Sequence, residues 1–342
     1  MIIHFMPNGG GGTPKHVIEL GKLFPEYTHG VVRKVGDLSH AICSTGCKGW
    51  KRVHVHSAVN QNYTAVQWDL VDVLARLRTT HPSLECFMTV HDYQWLIPSK
   101  PNPTKEDFFH HVFDPLLLAK TKTLMGLMDR VIFPSHSIRA NYEKVMSLPP
   151  AALVTPHCDV VYNVPVKPLV RPVKDAIHIA FVGYYFSVKG HYLFDALMAH
   201  LPSVDGHPLV YHVFGEVHQK SPNLSKAVLH GGYTDDSLVD LLWSSPVHCV
   251  CHLSGFEESY CYALTHTMAS RLPMFYLRRG AIEERLGATG SDLYWGFENG
   301  FEMIPQMKAF LRHLLAQPPY EGKAPKAKGT LCKTEWYRSN YK

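Results

Sequence analysis

The stretch Gly255-Phe256-Glu257-Glu258-Ser259-Tyr260 brings two adjacent carboxylates to the point where an apolar run, Val247–Leu253, gives way to a helical pattern. Ser259 is a natural N-cap for that helix, and two carboxylates exceed what a cap needs. Glu258 therefore reads as a functional carboxylate at a strand's carboxyl end, where a ligand would lie. Lys189-Gly190 follows a second apolar run that ends at Val182-Gly183, with Ser187 available as an N-cap. A lysine in the first helical turn opposes the macrodipole by about 0.3–1 kcal/mol, and a glycine there weakens the helix further. A bound diphosphate would reverse the electrostatic penalty. His91-Asp92 closes the run Glu85–Val90, and a histidine there can donate to an oxygen or act as acid or base. Gly9-Gly10-Gly11-Gly12 follows the first apolar run and precedes a helical pattern. Glycines admit a ligand close to the backbone, and free N–H groups at the helix start suit an anion. No Gly-Lys-Ser/Thr follows, so it is not a P-loop, and no later glycine completes a dinucleotide fingerprint. The run His248-Cys249-Val250-Cys251-His252, with Cys43-x3-Cys47, has zinc-like composition. Strand alternation sends its histidines and cysteines to opposite faces, so a buried strand is expected instead.

The elements that must position these groups alternate. Strands are expected at Ile2–Phe5, Gly30–Val35, Arg52–His56, Glu85–Val90, Arg130–Phe133 and Val160–Tyr162. Helices follow Gly12 and cover Ala65–Leu77, Asp114–Met128 and Ile138–Val145. Strand–helix alternation implies a parallel sheet covered on both faces. Residues 164–173 read VPVKPLVRPV, three prolines in ten residues, a stiff linker. The alternation then restarts, with strands at Ile177–Val182, Leu209–Phe214, Val228–His230, Val247–Leu253 and Met274–Leu277. Helices are expected at His191–His200, Ser237–Trp243, Tyr260–Ser270 and Glu302–Ala316. The expected division is a Rossmann-like domain at 1–163, a hinge at 164–176, a second Rossmann-like domain at 177–319 and a basic tail at 320–342. In such an α/β fold ligands bind at the carboxyl ends of the strands.

Composition sets the class. The chain has 342 residues, 46% hydrophobic and 18% charged, ordinary for a globular protein of about two domains. The net charge is +5, and residues 320–342 hold six Lys or Arg against two Glu. The nearly neutral body argues against a nucleic-acid partner, while the tail suggests weak contact with a membrane surface. Eight scattered cysteines, the lack of a long apolar run and the short apolar start fit a cytoplasmic protein, peripheral to a membrane at most.

Taken together the ordered segments resemble the retaining glycosyltransferases of family 4, which have the GT-B fold, two facing Rossmann-like domains with a cleft between them. GGGGTPKHVIEL resembles the family's glycine loop and helix, TVHDYQWLIP its His-Asp strand end, and FPSHSIRANY and VVYN the segments before the linker. FVGYYFSVKG resembles its phosphate segment, VFGE and VLHGGYTDDSL its later strand-end glycines, and ESYCYALTHTMASRLPMFYLRRGAIEERL its donor block. The resemblance implies that Lys189 contacts a donor diphosphate and that Glu258 touches the transferred sugar. It places the backbone of Ser259, Tyr260 and Cys261, and the glycines Gly11, Gly12, Gly183, Gly215 and Gly231, around the donor. His91 falls near the reacting sugar.

Two positions depart from the pattern. His266 stands where the second motif glutamate grips the ribose, and a neutral imidazole accepts one hydrogen bond where a carboxylate accepts several. Tyr184 stands where an arginine usually assists the lysine, so the donor is either held differently, with Arg278 or Arg279 compensating, or bound weakly. The expectation is a retaining glycosyltransferase that takes a nucleotide-sugar donor and a glycan, glycoprotein or lipid-linked sugar acceptor. It needs no metal or other cofactor. The alternatives are a catalytically degenerate GT-B protein that binds glycan or a partner and, further off, a sugar-nucleotide epimerase.

Overall fold

Strands of a parallel sheet covered on both faces are buried along their whole length, and Ile2–Phe5, Arg52–Val55 and Met274–Leu277 are buried at every position. A computed structural model describes residues 1–7, 12–59, 66–164, 167–324, 326, 329–332 and 335–341. Gly9, Gly10 and Gly11 lie outside the described residues, as do Pro165 and Val166 in the proline-rich stretch. The chain divides into two units, 1–159 with 331–342, and 160–330.

The first unit runs β1 (Ile2–Phe5), α1 (Gly12–Leu23), β2 (His29–Val32), α2 (Val35–Thr45), β3 (Arg52–Val55), α3 (Asp69–Thr80) and β4 (Glu85–Thr89). It continues with α4 (Lys105–His110), α5 (Pro115–Gly126), β5 (Arg130–Phe133), α6 (His136–Val145) and β6 (Ala152–Val154). Its six strands are parallel in the order β2-β1-β3-β4-β5-β6. The expected strand at Gly30–Val35 runs His29–Val32 instead, because Lys34 is the N-cap of α2 and Val35 already opens that helix. Asp114 caps α5 by accepting from the Leu116 N–H at 2.9 Å. Alternation splits the strand side chains between two faces. Val53, Val55, Met88 and Val90 join one large apolar core. The other face carries Arg52, His54, Phe87 and Thr89, all buried.

After β7 (Asp159–Tyr162), the second unit runs β8 (Ile177–Val182), α7 (His191–His200), β9 (Ser203–Val204), β10 (His207–Phe214), β11 (Ala227–Gly231) and α8 (Asp235–Ser244). Then come β12 (Cys249–His252), α9 (Tyr262–Ser270), β13 (Met274–Leu277), α10 (Gly280–Gly287), β14 (Tyr294–Phe297) and α11 (Met303–Leu315). Its sheet is ordered β11-β10-β8-β12-β13-β14, with β9 added antiparallel to β10. Two cores flank it: Phe181, Cys249 and Cys251 face one, and Ala180, Val182 and Val250 face the other.

The chain closes with β15 (Gly329–Cys332) and α12 (Glu335–Asn340). The basic terminus is therefore not a plain solvated tail. Tyr337 and Tyr341 are fully buried and pack with Ile2, Leu20, Phe24 and Phe87 of the first unit. Arg52 holds them there. Its guanidinium lies 3.8 Å from the Phe87 ring centroid and 4.3 Å from that of Tyr341, and it donates to the Asn340 and Tyr341 carbonyls. No helix among the described residues is long and apolar enough to cross a membrane.

Candidate functional site

The carboxyl ends of the central strands of the second unit hold most of the candidate residues. Gly183, Gly215 and Gly231 end β8, β10 and β11, all at positive φ. Gly215 has φ 138°, and a Cβ there would overlap the Gly183 carbonyl, so the two loops approach as closely as backbone allows. Gly183 N–H donates to Phe214 O at 2.9 Å and Gly215 N–H to Gly231 O at 2.8 Å, tying the three loop starts together.

Lys189 ends a single 3-10 turn, Ser187–Lys189, instead of sitting in the first turn of α7. Gly190, at φ 79°, is the N-cap, and a Cβ there would strike the Leu253 carbonyl. Ser187 is thus not the cap expected from sequence. The sharp glycine turn needed to pass the end of β12 takes that place. Lys189 Nζ donates to Glu258 Oε1. The Glu258 side chain is 7% exposed and that of Lys189 is 30% exposed. Burial pushes the ammonium's pKa down, but the adjacent Glu258 carboxylate outweighs this and raises it. Lys189 is therefore held charged. Glu257 has a separate task, accepting the Gly280 N–H at 2.7 Å at the start of α10.

The expected helix at Tyr260 begins later, at Tyr262, and Ser259 does not cap it. Cys261 intervenes with φ 65°, a left-handed conformation rare outside glycine. Such strain persists where the surroundings over-determine it, and here Arg285 does so. Its Nη1 donates to the carbonyls of Tyr260 and Cys261, both at 3.0 Å, and its Nη2 to Thr265 Oγ1 at 2.7 Å. Burial, then the Glu258 charge, raises the Cys261 thiol to about 11, so it is a neutral thiol. The N-terminus of α9, with its share of the helix macrodipole, is a natural seat for an anion.

His266, on α9, is fully buried. Its Nδ1 lies 2.5 Å from Tyr162 Oη and its Nε2 lies 3.2 Å from Asp235 Oδ1. Asp235, 42% exposed, is the carboxylate that reaches the surface at this point. Tyr184 is 54% exposed and its ring meets His218. Arg279 is buried and donates to the carbonyls of Arg278 and Glu298, while Arg278 lies against Glu283 and Glu298. Both arginines are thus engaged locally.

His91 and Gly12 belong to the first unit. Gly12 opens α1 and is exposed; Gly11 lies outside the described residues. His91 stands after β4 in a cluster of buried imidazoles with His4, His16, His54, His56 and His157. Burial holds all of them below the usual histidine range, His4 and His91 down to about 3. Ligand atoms of His4, His54 and His56 lie within 4.8 Å of one another. Every nitrogen of these three rings already faces a hydrogen-bonding partner, so no lone pair is left over for a metal ion.

No protein-family model matches the chain, and no curated protein matches it by sequence. Solved structures do match it in shape. Sucrose-phosphate synthase from Thermosynechococcus elongatus is 14% identical over 92% of each chain, with a TM-score of 0.60. HepE from Anabaena, solved with UDP-glucose, is 11% identical over 92% of this chain and 89% of that one, with a TM-score of 0.59. WaaG, a glycosyltransferase involved in lipopolysaccharide biosynthesis, is 11% identical over 93% and 91%, with a TM-score of 0.51. The chain has the GT-B fold.

Within that fold several participants escaped the sequence reading. Arg285 sits in an ordinary amphipathic helix, and nothing local marks it. Tyr162 and Asp235 are far from His266 in sequence. The histidine cluster did leave a signal, the period-two run Arg52-Val53-His54-Val55-His56 beside Thr89-Val90-His91, which puts polar groups on one buried strand face.

Proposed function

We propose that this protein is a retaining, metal-independent glycosyltransferase that moves a sugar from a nucleotide-sugar donor to a glycan, glycoprotein or lipid-linked sugar. The observation that carries this reading is the contact between Lys189 and Glu258 at the carboxyl end of the second sheet, beside the N-terminus of α9. One group suits a leaving diphosphate and the other the hydroxyls of a sugar. Charge develops on the diphosphate as the glycosidic bond breaks, and a fixed ammonium with helix N–H groups stabilises it without a metal. The close glycine turns at Gly183 and Gly215 let the nucleotide approach the backbone. Asp235, beside His266, supplies a carboxylate for the ribose hydroxyls in place of the missing glutamate. The structural relatives solved with UDP and UDP-glucose make UDP-sugars the first donors to try.

The test incubates the protein with UDP-sugars and a panel of oligosaccharide acceptors, with and without EDTA, reading UDP release and the product's anomeric configuration. Transfer with retained configuration, unaffected by EDTA, is expected. Lys189→Ala and Glu258→Ala should each lower it at least about tenfold, ~1.4 kcal/mol of barrier. A second reading, a binding protein that has lost turnover, is favoured by the sealed position of His266 against Tyr162. Nucleotide binding without turnover on every acceptor would select it.

A further inference from the structure

Helix α10 lies against the segment that joins β12 to α9 and grips it at two points. At its start the Gly280 N–H donates to Glu257 Oε2 and the Ala281 N–H to the Glu258 carbonyl, both at 2.7 Å. A Cβ at Gly280, which has φ 51°, would overlap the Glu258 backbone, so the two chains meet there with no side chain between them. Farther along the helix, the half-buried Arg285 makes the second contact. Its Nη1 donates to the Tyr260 and Cys261 carbonyls and its Nη2 to Thr265 Oγ1, while the guanidinium lies 4.7 Å from the Tyr260 ring centroid. A trans peptide unit holds its C=O and N–H antiparallel. With two successive carbonyls turned to one guanidinium, the N–H groups of Cys261 and Tyr262 are turned the opposite way, side by side.

We propose that Arg285 is a positioning residue for the donor: by holding the Tyr260 and Cys261 carbonyls it aims the N–H groups of Cys261 and Tyr262 at the diphosphate beside Lys189. The inference rests on the glycosyltransferase reading and adds to it a residue that never touches the ligand. The residue between the two peptide units, Cys261, has φ 65° and ψ 82°, a left-handed geometry that is costly for any residue carrying a Cβ. Without the guanidinium, the two peptide units would relax toward a turn that Cys261 adopts more readily, and the N–H pair would lose its common direction. A planar fork reaches two carbonyls and a hydroxyl at once, which the point charge of a lysine cannot do in the same way.

Arg285 also answers for the arginine that Tyr184 replaces. Arg278 and Arg279 are engaged by neighbouring carboxylates and carbonyls. Lys189 and Arg285 instead stand over one strand end. Burial first, and then the charges of Lys189 and Arg285, hold His252 at the end of β12 down to about 3, and the same two cations act on the Cys261 thiol. The second positive charge thus reaches the anion seat through the dipoles of two peptide units that it holds in line, an arrangement fixed before any ligand arrives.

The test compares the full chain with Arg285→Lys, Arg285→Ala, Cys261→Gly and the Cys261→Gly/Arg285→Ala double variant. Hydrogen–deuterium exchange over residues 255–266 is followed without ligand, and UDP and inorganic pyrophosphate are titrated by calorimetry. Arg285→Lys keeps the charge but not the fork, so exchange should rise and both ligands should bind about tenfold more weakly, as in Arg285→Ala. Glycine takes a positive φ without the Cβ penalty, so in the Cys261→Gly background the loss of Arg285 should weaken binding no more than about threefold. If Arg285→Ala does not fold, Arg285→Lys carries the decision. Parent-like UDP binding in Arg285→Lys would overturn the proposal by leaving charge as the whole role. An equal loss in the two backgrounds would also overturn it, because a purely structural arginine is indifferent to residue 261. A parent protein that binds neither UDP nor pyrophosphate would fail the glycosyltransferase reading itself, and the positioning role with it. A parent that binds both, with exchange unaltered in Arg285→Lys, sinks the positioning role alone.

Discussion

In Glu258→Gln, UDP binding and sugar transfer should move in opposite directions. In the ligand-free protein the Lys189 ammonium is occupied by the Glu258 carboxylate, so a diphosphate has to compete for it. A contact pair at an effective dielectric near 20 is worth about 4 kcal/mol. Lys189 is 30% exposed, so solvent screens much of this, and a third is a reasonable share to be recovered by the ligand. That is ~1.4 kcal/mol, or about tenfold tighter UDP. Glutamine keeps the side-chain shape and hydrogen-bonding capacity without the charge, so the fold should survive. Transfer should nevertheless fall at least about tenfold, because the carboxylate proposed to hold the sugar is gone. Calorimetry with UDP at pH 7, beside a turnover assay, measures both. Unchanged or weaker UDP binding in Glu258→Gln would refute the idea that the carboxylate and the diphosphate share one lysine.

Other consequences follow from the same structure. Arg52→Ala removes a fully buried guanidinium that holds Tyr341 and Asn340 and pairs with Glu85; it should cost ~2–3 kcal/mol in urea unfolding and expose residues 335–341 to protease. Stability should also fall in acid. His4 and His91, held down to about 3 by burial, stay neutral in the folded chain while their unfolded counterparts protonate near 6.5. Their contribution is full above pH 6.5 and is lost as pH falls towards 3. At pH 5 each accounts for about 2 kcal/mol, which urea midpoints at pH 7 and pH 5 would reveal; equal midpoints would contradict it. Asp235→Asn should weaken UDP about tenfold and abolish any preference for UDP over 2′-deoxy-UDP, since the amide replaces the carboxylate assigned to the ribose.

The alternation of apolar runs with helical patterns carried the fold, because parallel strands buried on both faces leave few other patterns open. Ile177–Val182, His191–His200 and Met274–Leu277 fall where periodicity puts them. Short or half-polar elements did not show: α2, α4, β6, α10 and β14 have too few periodic positions to stand out. At the site, strand ends pointed to Lys189 and Glu258, and the structure brings these two into contact although 69 residues separate them. Cap residues were less legible. Ser187 and Ser259 are good caps in isolation, yet Gly190 and Cys261 hold the cap positions in left-handed conformations, because the chain must turn tightly past neighbouring strand ends. The burial of Tyr337 and Tyr341 was masked by the lysines around them, since charge in a terminal segment says nothing about which aromatics find a core.

Whether the second unit holds a nucleoside diphosphate is read by a calorimetric titration of the purified protein with UDP, GDP, ADP and dTDP, with and without EDTA. Selective binding of one nucleoside diphosphate is expected, indifferent to EDTA and weakened at least about tenfold in Lys189→Ala. No binding of any of the four, or binding that Lys189→Ala leaves untouched, would contradict it.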